Sequence, residues 1–175
     1  GIFHKKDSFK FFYHFRVSMK SFNIFFMAMI FLVATQVNAI TVVNEIMYNP
    51  PENDNNKEFI EIFSDEITNF ENYTIEDLSG NKDNLILAKH IDSQYFLIVE
   101  DEFDYSNIEA SVYTVGAAIG NNLNNDQDAI ILRDAENNII DLIYYSSEWG
   151  GNGKSLERID VNKFSNDRSN WAESD

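Results

Sequence analysis

Between Pro50 and Glu61 the chain reads PPENDNNKEFIE. Glu52, Asn53, Asp54, Asn55, Asn56 and Glu58 offer hard oxygens, the ligand type that calcium takes in sets of about six to eight. The order of an EF-hand loop is missing, as is its central glycine, so the alternative is a solvated connection between two strands. A second cluster, Asn124, Asn125, Asp126 and Asp128, follows the same chemistry. Asp126 and Asp128 are the calcium candidates there, because alternate residues of an extended segment share a face. Its alternative is a turn leading into a strand.

Other reactive types are thinly spread. Glu58 and Glu61 invite comparison with the paired carboxylates of glycosidases. On a strand they would point to opposite faces and could not flank one bond. His90, in LAKHID, is the one histidine after residue 39, and the chain has no cysteine. A Ser-His-Asp triad would have to use His90, but no Gly-x-Ser-x-Gly elbow accompanies it. An exposed loop histidine is the simpler expectation, and a single histidine excludes a His-rich zinc site. Trp149 with Gly150, Gly151, Asn152 and Gly153 could contact a ligand or permit a tight crossing between sheets. Lys154 and Arg158 are four apart and share a face; Arg158 could form a bidentate pair with Glu45 or Glu61, and such a pair is expected to be architectural. Asn72-Tyr73-Thr74 fits a glycosylation sequon, although a tight turn there would hinder transfer. No catalytic residue and no cofactor is expected, calcium being the one candidate ligand.

Charge divides the chain in two. The formal net charge of the 175 residues is −16. Residues 1–39 hold five Lys/Arg and one Asp, whereas residues 40–175 hold eight Lys/Arg against twenty-eight Asp/Glu, a balance of −20. The first part reads as a targeting segment. Met19 and Lys20 precede the uncharged run IFFMAMIFLVA from Ile24 to Ala34. That run is shorter than the roughly 20 apolar residues a membrane-spanning helix needs. TQVNA follows, and its modest side chains at Val37 and Ala39 suit a signal peptidase. Residues 19–39 are therefore expected to form a signal-peptide helix, the alternative being an uncleaved anchor. Residues 1–18 are expected to lie upstream of it or to extend its basic region. An extracellular or cell-surface location follows, with membrane contact only through an uncleaved signal segment. The acidity of residues 40–175 disfavours direct nucleic-acid binding.

Past residue 40, short runs rich in Ile, Val, Phe and Tyr alternate with Asn, Asp and Gly. Strands are expected near 41–48, 58–64, 73–76, 84–88, 94–99, 112–115, 128–133, 138–145 and 154–158. Nine short strands and no sustained 3.6-residue period predict an all-β sandwich or barrel. Phe103–Ala110 is expected to be an irregular turn rather than a helix. DAIILRDAENNIIDLIYY should form a hairpin with its tip at Asp134 to Asn137. Ile130 and Leu132 would then share a face with Ile140, Leu142 and Tyr144, and Ile131 with Ile143. The carboxylates and amides between strands are expected to form a solvent-facing rim.

VNEIMYNP (Val43–Pro50), EFIEIFS (Glu58–Ser64), YFLIV (Tyr95–Val99), GKSLER (Gly153–Arg158) and Asn170-Trp171 occur in this order between Val42 and Ser174, and the order resembles that of the lamin-tail domain, secreted prokaryotic type. Val43–Pro50, VNEIMYNP, resembles its opening INEIMYNP strand, and Glu58–Ser64, EFIEIFS, resembles EWIELYN. Asn69–Asp77 corresponds to DLSGWTLSD, Tyr95–Val99 to YLVI, and Asn121–Leu132 to L-x-N-x-G-D-x-I-x-L. Asp134–Tyr144 resembles D-x-N-G-x-x-I-D-x-x-x-Y, Gly153–Arg158 reads GKSLER, and Asn170-Trp171 matches a terminal NW. Asn72 stands where the family has Gly, Tyr73 where it has Trp, and Gln127 and Asn138 replace further glycines. The family's closing Gly-Thr-Pro-Gly segment is missing, which puts the last strand or its cap in doubt. The resemblance implies an immunoglobulin-like β-sandwich over residues 40–175, its C-terminal end open to truncation. It also implies a non-catalytic module that binds a protein or cell-surface partner or serves surface assembly. The alternative is an accessory domain of a larger secreted nuclease or phosphatase, since lamin-tail domains occur joined to such enzymes. Lamina function is disfavoured by the lack of any heptad pattern.

Overall fold

The computed structural model describes residues 39–66 and 69–175. The signal-peptide reading of residues 19–39 and that of residues 1–18 thus fall, but for Ala39, outside the described residues. The described part is all-β, with eleven strands, two single-turn 3-10 helices and no α-helix. The strands are β1 (Thr41–Met47), β2 (Phe59–Ser64), β3 (Thr74–Glu76), β4 (Lys82–Asn84), β5 (Ile86–Lys89), β6 (Tyr95–Val99), β7 (Ser111–Thr114), β8 (Gln127–Arg133), β9 (Ile139–Ser146), β10 (Leu156–Arg158) and β11 (Trp171–Glu173). Nine of them lie within two residues of the runs expected from the sequence. The two additions are β4 and β11, both three residues long. The closing strand left in doubt above does form, pairing Trp171 with Arg158 and Glu173 with Leu156.

The strands make a seven-stranded sheet, ordered β11-β10-β1-β2-β6-β7-β5, and a four-stranded sheet, ordered β4-β3-β8-β9. Each carries the period of two that a sheet with one buried face requires. In β2, Ile60, Ile62 and Ser64 are buried, while Phe59, Glu61 and Phe63 are half-buried on the other face. Val43, Ile46, Ile60, Ile62, Phe96 and Ile98 of the larger sheet join Ile75, Ile130, Leu132, Ile143 and Tyr145 of the smaller in one core. The result is a sandwich-like all-β fold.

The β6–β7 pair is parallel, so the chain must cross over between them. The connection is irregular, as expected for Phe103–Ala110, and it has work to do. Leu97, Val99 and Val112 form a small second core on the outer face of the large sheet, against which Phe103, Tyr105 and Ile108 pack. This is why β6 is buried on both faces.

Two expectations about facing need correction. The β8–β9 hairpin turns where expected, with Asn137 donating to the Asp134 carbonyl at 3.0 Å and Asp134 N–H donating to the Asn138 carbonyl at 3.0 Å. The register then shifts, from Arg133 opposite Ile139 to Leu132 opposite Asp141. The extra residue is Ile140, a β-bulge that reverses the alternation beyond it. Ile143 and Tyr145 therefore face the core with Ile130 and Leu132. Ile140 and Tyr144 are exposed on the other side. The acidic rim is also not uniformly solvated, because Glu58, Asp77, Glu100, Asp128 and Asp141 are buried.

Candidate functional site

The sequence-predicted candidates separate in space. Asp126 is exposed, and Asp128 is 1% exposed beneath it. One oxygen of Asp128 accepts from the N–H groups of Leu78 (2.9 Å) and Ala129 (2.8 Å). The other accepts from Asn124 N–H (3.1 Å) and Asn124 Nδ2 (2.8 Å). Four donors occupy about the number of lone-pair sites a carboxylate has. Asp128 is a staple joining the residue after β3, the loop before β8 and β8 itself, whereas the Asp126 side chain is exposed. His90 is exposed in a loop, 3.7 Å from Asp92, whose side chain is more exposed still. Asn72 adopts φ 71°, the left-handed backbone that Asn tolerates, and Tyr73 meets Phe70 edge-on at 5.0 Å.

The glycine-rich stretch is a crossing rather than a loop in open solvent. It carries the chain from β9 in the small sheet to β10 in the large one. The Tyr48 hydroxyl donates to the Gly150 carbonyl, and its ring stacks on Tyr145 at 4.5 Å. Gly151 has φ +90°, and a Cβ there would lie 2.7 Å from the Tyr48 ring. No larger residue fits over that ring without displacement.

Arg158 does not pair with Glu45 or Glu61. Glu157 is the residue opposite Glu45, so Arg158 must point to the other face, inward. There Nη2 meets Asp141 Oδ2 at 3.1 Å and Ser165 Oγ at 2.8 Å. Nε donates to the Val43 carbonyl at 2.6 Å and Nη1 to the Lys163 carbonyl at 3.2 Å. Asp141 also accepts from Val43 N–H at 2.8 Å and from the Ser165 hydroxyl. The guanidinium lies 4.9 Å from the centre of the Trp171 ring. The pair that does form, Arg158 with Asp141, is architectural and joins the two sheets. Lys154 is exposed and caps the Ser174 carbonyl at 2.9 Å.

Two acidic arrangements remain. The first lies on the outer face of the large sheet. Glu45 stands opposite Glu61 on one side and Glu157 on the other, so three glutamates run in a row across β2, β1 and β10. Partial burial raises the pKa of Glu45, and Glu157 adds to the rise while the Ser155 hydroxyl opposes it. Burial likewise raises Glu61, against a 2.8 Å hydrogen bond from Asn44, with Glu45 and Glu157 pushing the same way as burial. Like charges directly opposite destabilise a sheet, and this row keeps three.

The second is a pocket of about 240 Å³ where the 52–55 loop meets β2 and the end of β6, lined by Glu52, Asn53, Asp54, Asn55, Glu58, Glu100 and Asn122. Continuing the register one step beyond Phe59 opposite Val99 sets Glu58 opposite Glu100. Both share the inward face of Ile60 and Ile98, and they are only 2% and 3% exposed. Glu58 Oε2 accepts from Leu123 N–H at 3.1 Å. Burial pushes the Glu58 carboxyl up to about 8, with Glu100, Asp54 and Asp128 adding repulsion. Glu100 is raised as well, mainly by burial and despite main-chain hydrogen bonds from Asn56, Glu58 and Lys57. Its Oε2 is buried with no hydrogen-bond partner. Nothing in the sequence reading singled out Glu100. The signal was its place one residue after the apolar run YFLIV, in phase with the buried Phe96 and Ile98. Among the described residues, no three His, Cys, Asp or Glu side chains are grouped so as to hold a metal ion by themselves.

Comparison with protein-family models, with curated proteins and with solved structures yields no match to this chain.

Proposed function

We propose that this chain is a secreted or cell-surface, non-catalytic module of the lamin-tail, immunoglobulin-like kind, serving protein binding or surface assembly. The motif order supports the family, and the two-sheet architecture fits it. The observation that carries the binding reading is the glutamate row Glu61–Glu45–Glu157 on an outward face. A row of mutually repelling carboxylates costs the isolated domain stability, and a basic surface laid across it would relieve that cost while setting orientation. Three of the potentially reactive side chains elsewhere are committed to the frame: Asp128 to four N–H groups, and Asp141 and Arg158 to each other.

The test uses the full chain as bait for secreted and cell-surface protein, beside a variant with Glu45→Gln, Glu61→Gln and Glu157→Gln. A basic partner retained by the wild type should be lost from the triple variant and released by about 0.5 M salt, where screening lengths fall to a few ångströms. Equal retention by both proteins overturns the basic-partner reading. Turnover of nucleic acid, phosphate ester or glycoside substrates by the full chain, abolished in His90→Ala, overturns the non-catalytic one.

A further inference from the structure

Folding has placed two carboxylates side by side at the inner end of β2 and β6, and it has not neutralised them. No Lys, Arg or His lines their pocket. The nearest cation in sequence, Lys57, is exposed and lies 3.8 Å from Glu52. One Glu100 oxygen is anchored by main-chain N–H groups while Oε2 has nothing to bond. A buried acceptor without a donor costs about 1–3 kcal/mol, and more when charged. Asp54 adds a third negative group that acts on both Glu58 and Glu100. The loop bearing it is held in shape, with Lys57 N–H donating to the Asp54 carbonyl at 3.1 Å and Asn55 N–H to Asn53 Oδ1 at 3.1 Å. Asn125 Nδ2 reaches Asp54 Oδ2 at 3.3 Å from the facing loop. The rest of the lining is oxygen-bearing side chains of the Asn, Asp and Glu type, in a cavity far larger than one ion.

We propose that this pocket binds one divalent cation of the calcium class, with Glu58 and Glu100 as its charged ligands. The amide oxygens of Asn55 and Asn122, and water, complete an all-oxygen shell, with Asp54 adding its charge from outside it. Two positive charges match two buried carboxylates, which a single proton cannot do. A loop-built, irregular set with few carboxylates suits calcium, whose coordination is flexible, better than magnesium, which demands a near-regular octahedron. The lack of three grouped acidic side chains is consistent with a shell in which neutral oxygens supply the majority. The inference stands apart from the binding role proposed above, which rests on the opposite face of the sheet.

The test is thermal unfolding and calorimetric titration of the full chain with calcium chloride or with chelator. Wild-type protein should take up one calcium per chain. It should melt roughly 5–10 °C higher at a calcium concentration about a hundred times the dissociation constant. Glu100→Gln replaces one carboxylate by an amide that can donate to Glu58, so it should fold and melt in chelator no lower than wild type. Its calcium response should vanish. Equal wild-type midpoints in calcium and chelator overturn the proposal, and they leave a proton shared between Glu58 and Glu100 as the account of the pair. A calcium response retained in Glu100→Gln overturns the placement of the site.

Discussion

At two of the places where the fold buries acid, it treats the charge in opposite ways. At one end Asp141 meets Arg158, and every polar contact between them is answered: two main-chain groups of Val43, the Ser165 hydroxyl and the Lys163 carbonyl. At the other end Glu58 meets Glu100, like charge against like, with one oxygen unanswered. Desolvating a charge is expensive in both cases. In the first the expense is offset within the chain, and the product is a tie between sheets. In the second it is left open, which a purely structural residue has no reason to do. A buried charge that the protein has satisfied reports on architecture, and one it has not satisfied points outward, to a proton or an ion.

The sharpest way to break this contrast is at the satisfied end. Arg158→Met should cost about 3–5 kcal/mol, the range for stripping one partner from a buried ion pair. Against a typical total of about 5–15 kcal/mol, that approaches unfolding. Urea denaturation measures it. Adding Asp141→Leu should recover part of the loss but not all, because Val43 N–H and the Val43 carbonyl would then lack their partners. A single-variant loss below about 1 kcal/mol would mean that the knot is no tie at all.

The unsatisfied end should announce itself through pH. In the folded state Glu58 holds its proton up to about 8, against an ordinary value of 4.5. Between those values the folded chain is protonated where the unfolded chain is not, so raising pH withdraws stability. The contribution is complete below about 4.5 and lost above about 8. In chelator the melting temperature should therefore fall steadily as pH rises from about 5 to about 8. Glu58→Gln should shrink that slope and raise the midpoint at pH 8. A melting temperature that is flat or rising across the window would place the Glu58 carboxyl in an ordinary, solvated environment.

Much of this fold was legible in the sequence, and what was not has identifiable causes. Runs such as FIEIF and YFLIV declare strands because β-branched and aromatic side chains suit a half-buried pleat. The strands Lys82–Asn84 and Trp171–Glu173 were missed because KDN and WAE carry no such pattern; their neighbours, β3 and β10, impose the extended form. The facing of β9 was read one residue out of phase because a single bulged residue, Ile140, reverses the alternation, and a bulge leaves no trace in composition. Arg158 was matched with acids of its own sheet, although its parity with the buried Leu156 pointed inward. Glu58 is in phase with the buried Ile60 and Ile62, the one local sign that this acid faces inward. Its partner Glu100 lies forty-two residues away, and only the β2–β6 register joins them.

At the entry to β8 the same contrast can be drawn at the scale of two residues. Asp128 spends its oxygens on four N–H donors, so Asp128→Asn replaces one acceptor by an NH2 that faces groups that can only donate. It should cost about 1–3 kcal/mol. Asp126 lies two residues away, but its side chain faces solvent, and it is the main-chain carbonyl that serves the fold, accepting from Ser147 N–H at 2.7 Å. Asp126→Asn leaves that carbonyl in place, so stability should stay within about 0.5 kcal/mol of wild type. The calcium response should also be unchanged, since the ion is assigned to Glu58 and Glu100 instead. Paired melts of Asp126→Asn in calcium and in chelator check both points. A response lost in this variant would return the ion to Asp126 and Asp128, the pair first suggested by their spacing, and would demand that the loop rearrange to release Asp128 from its four donors.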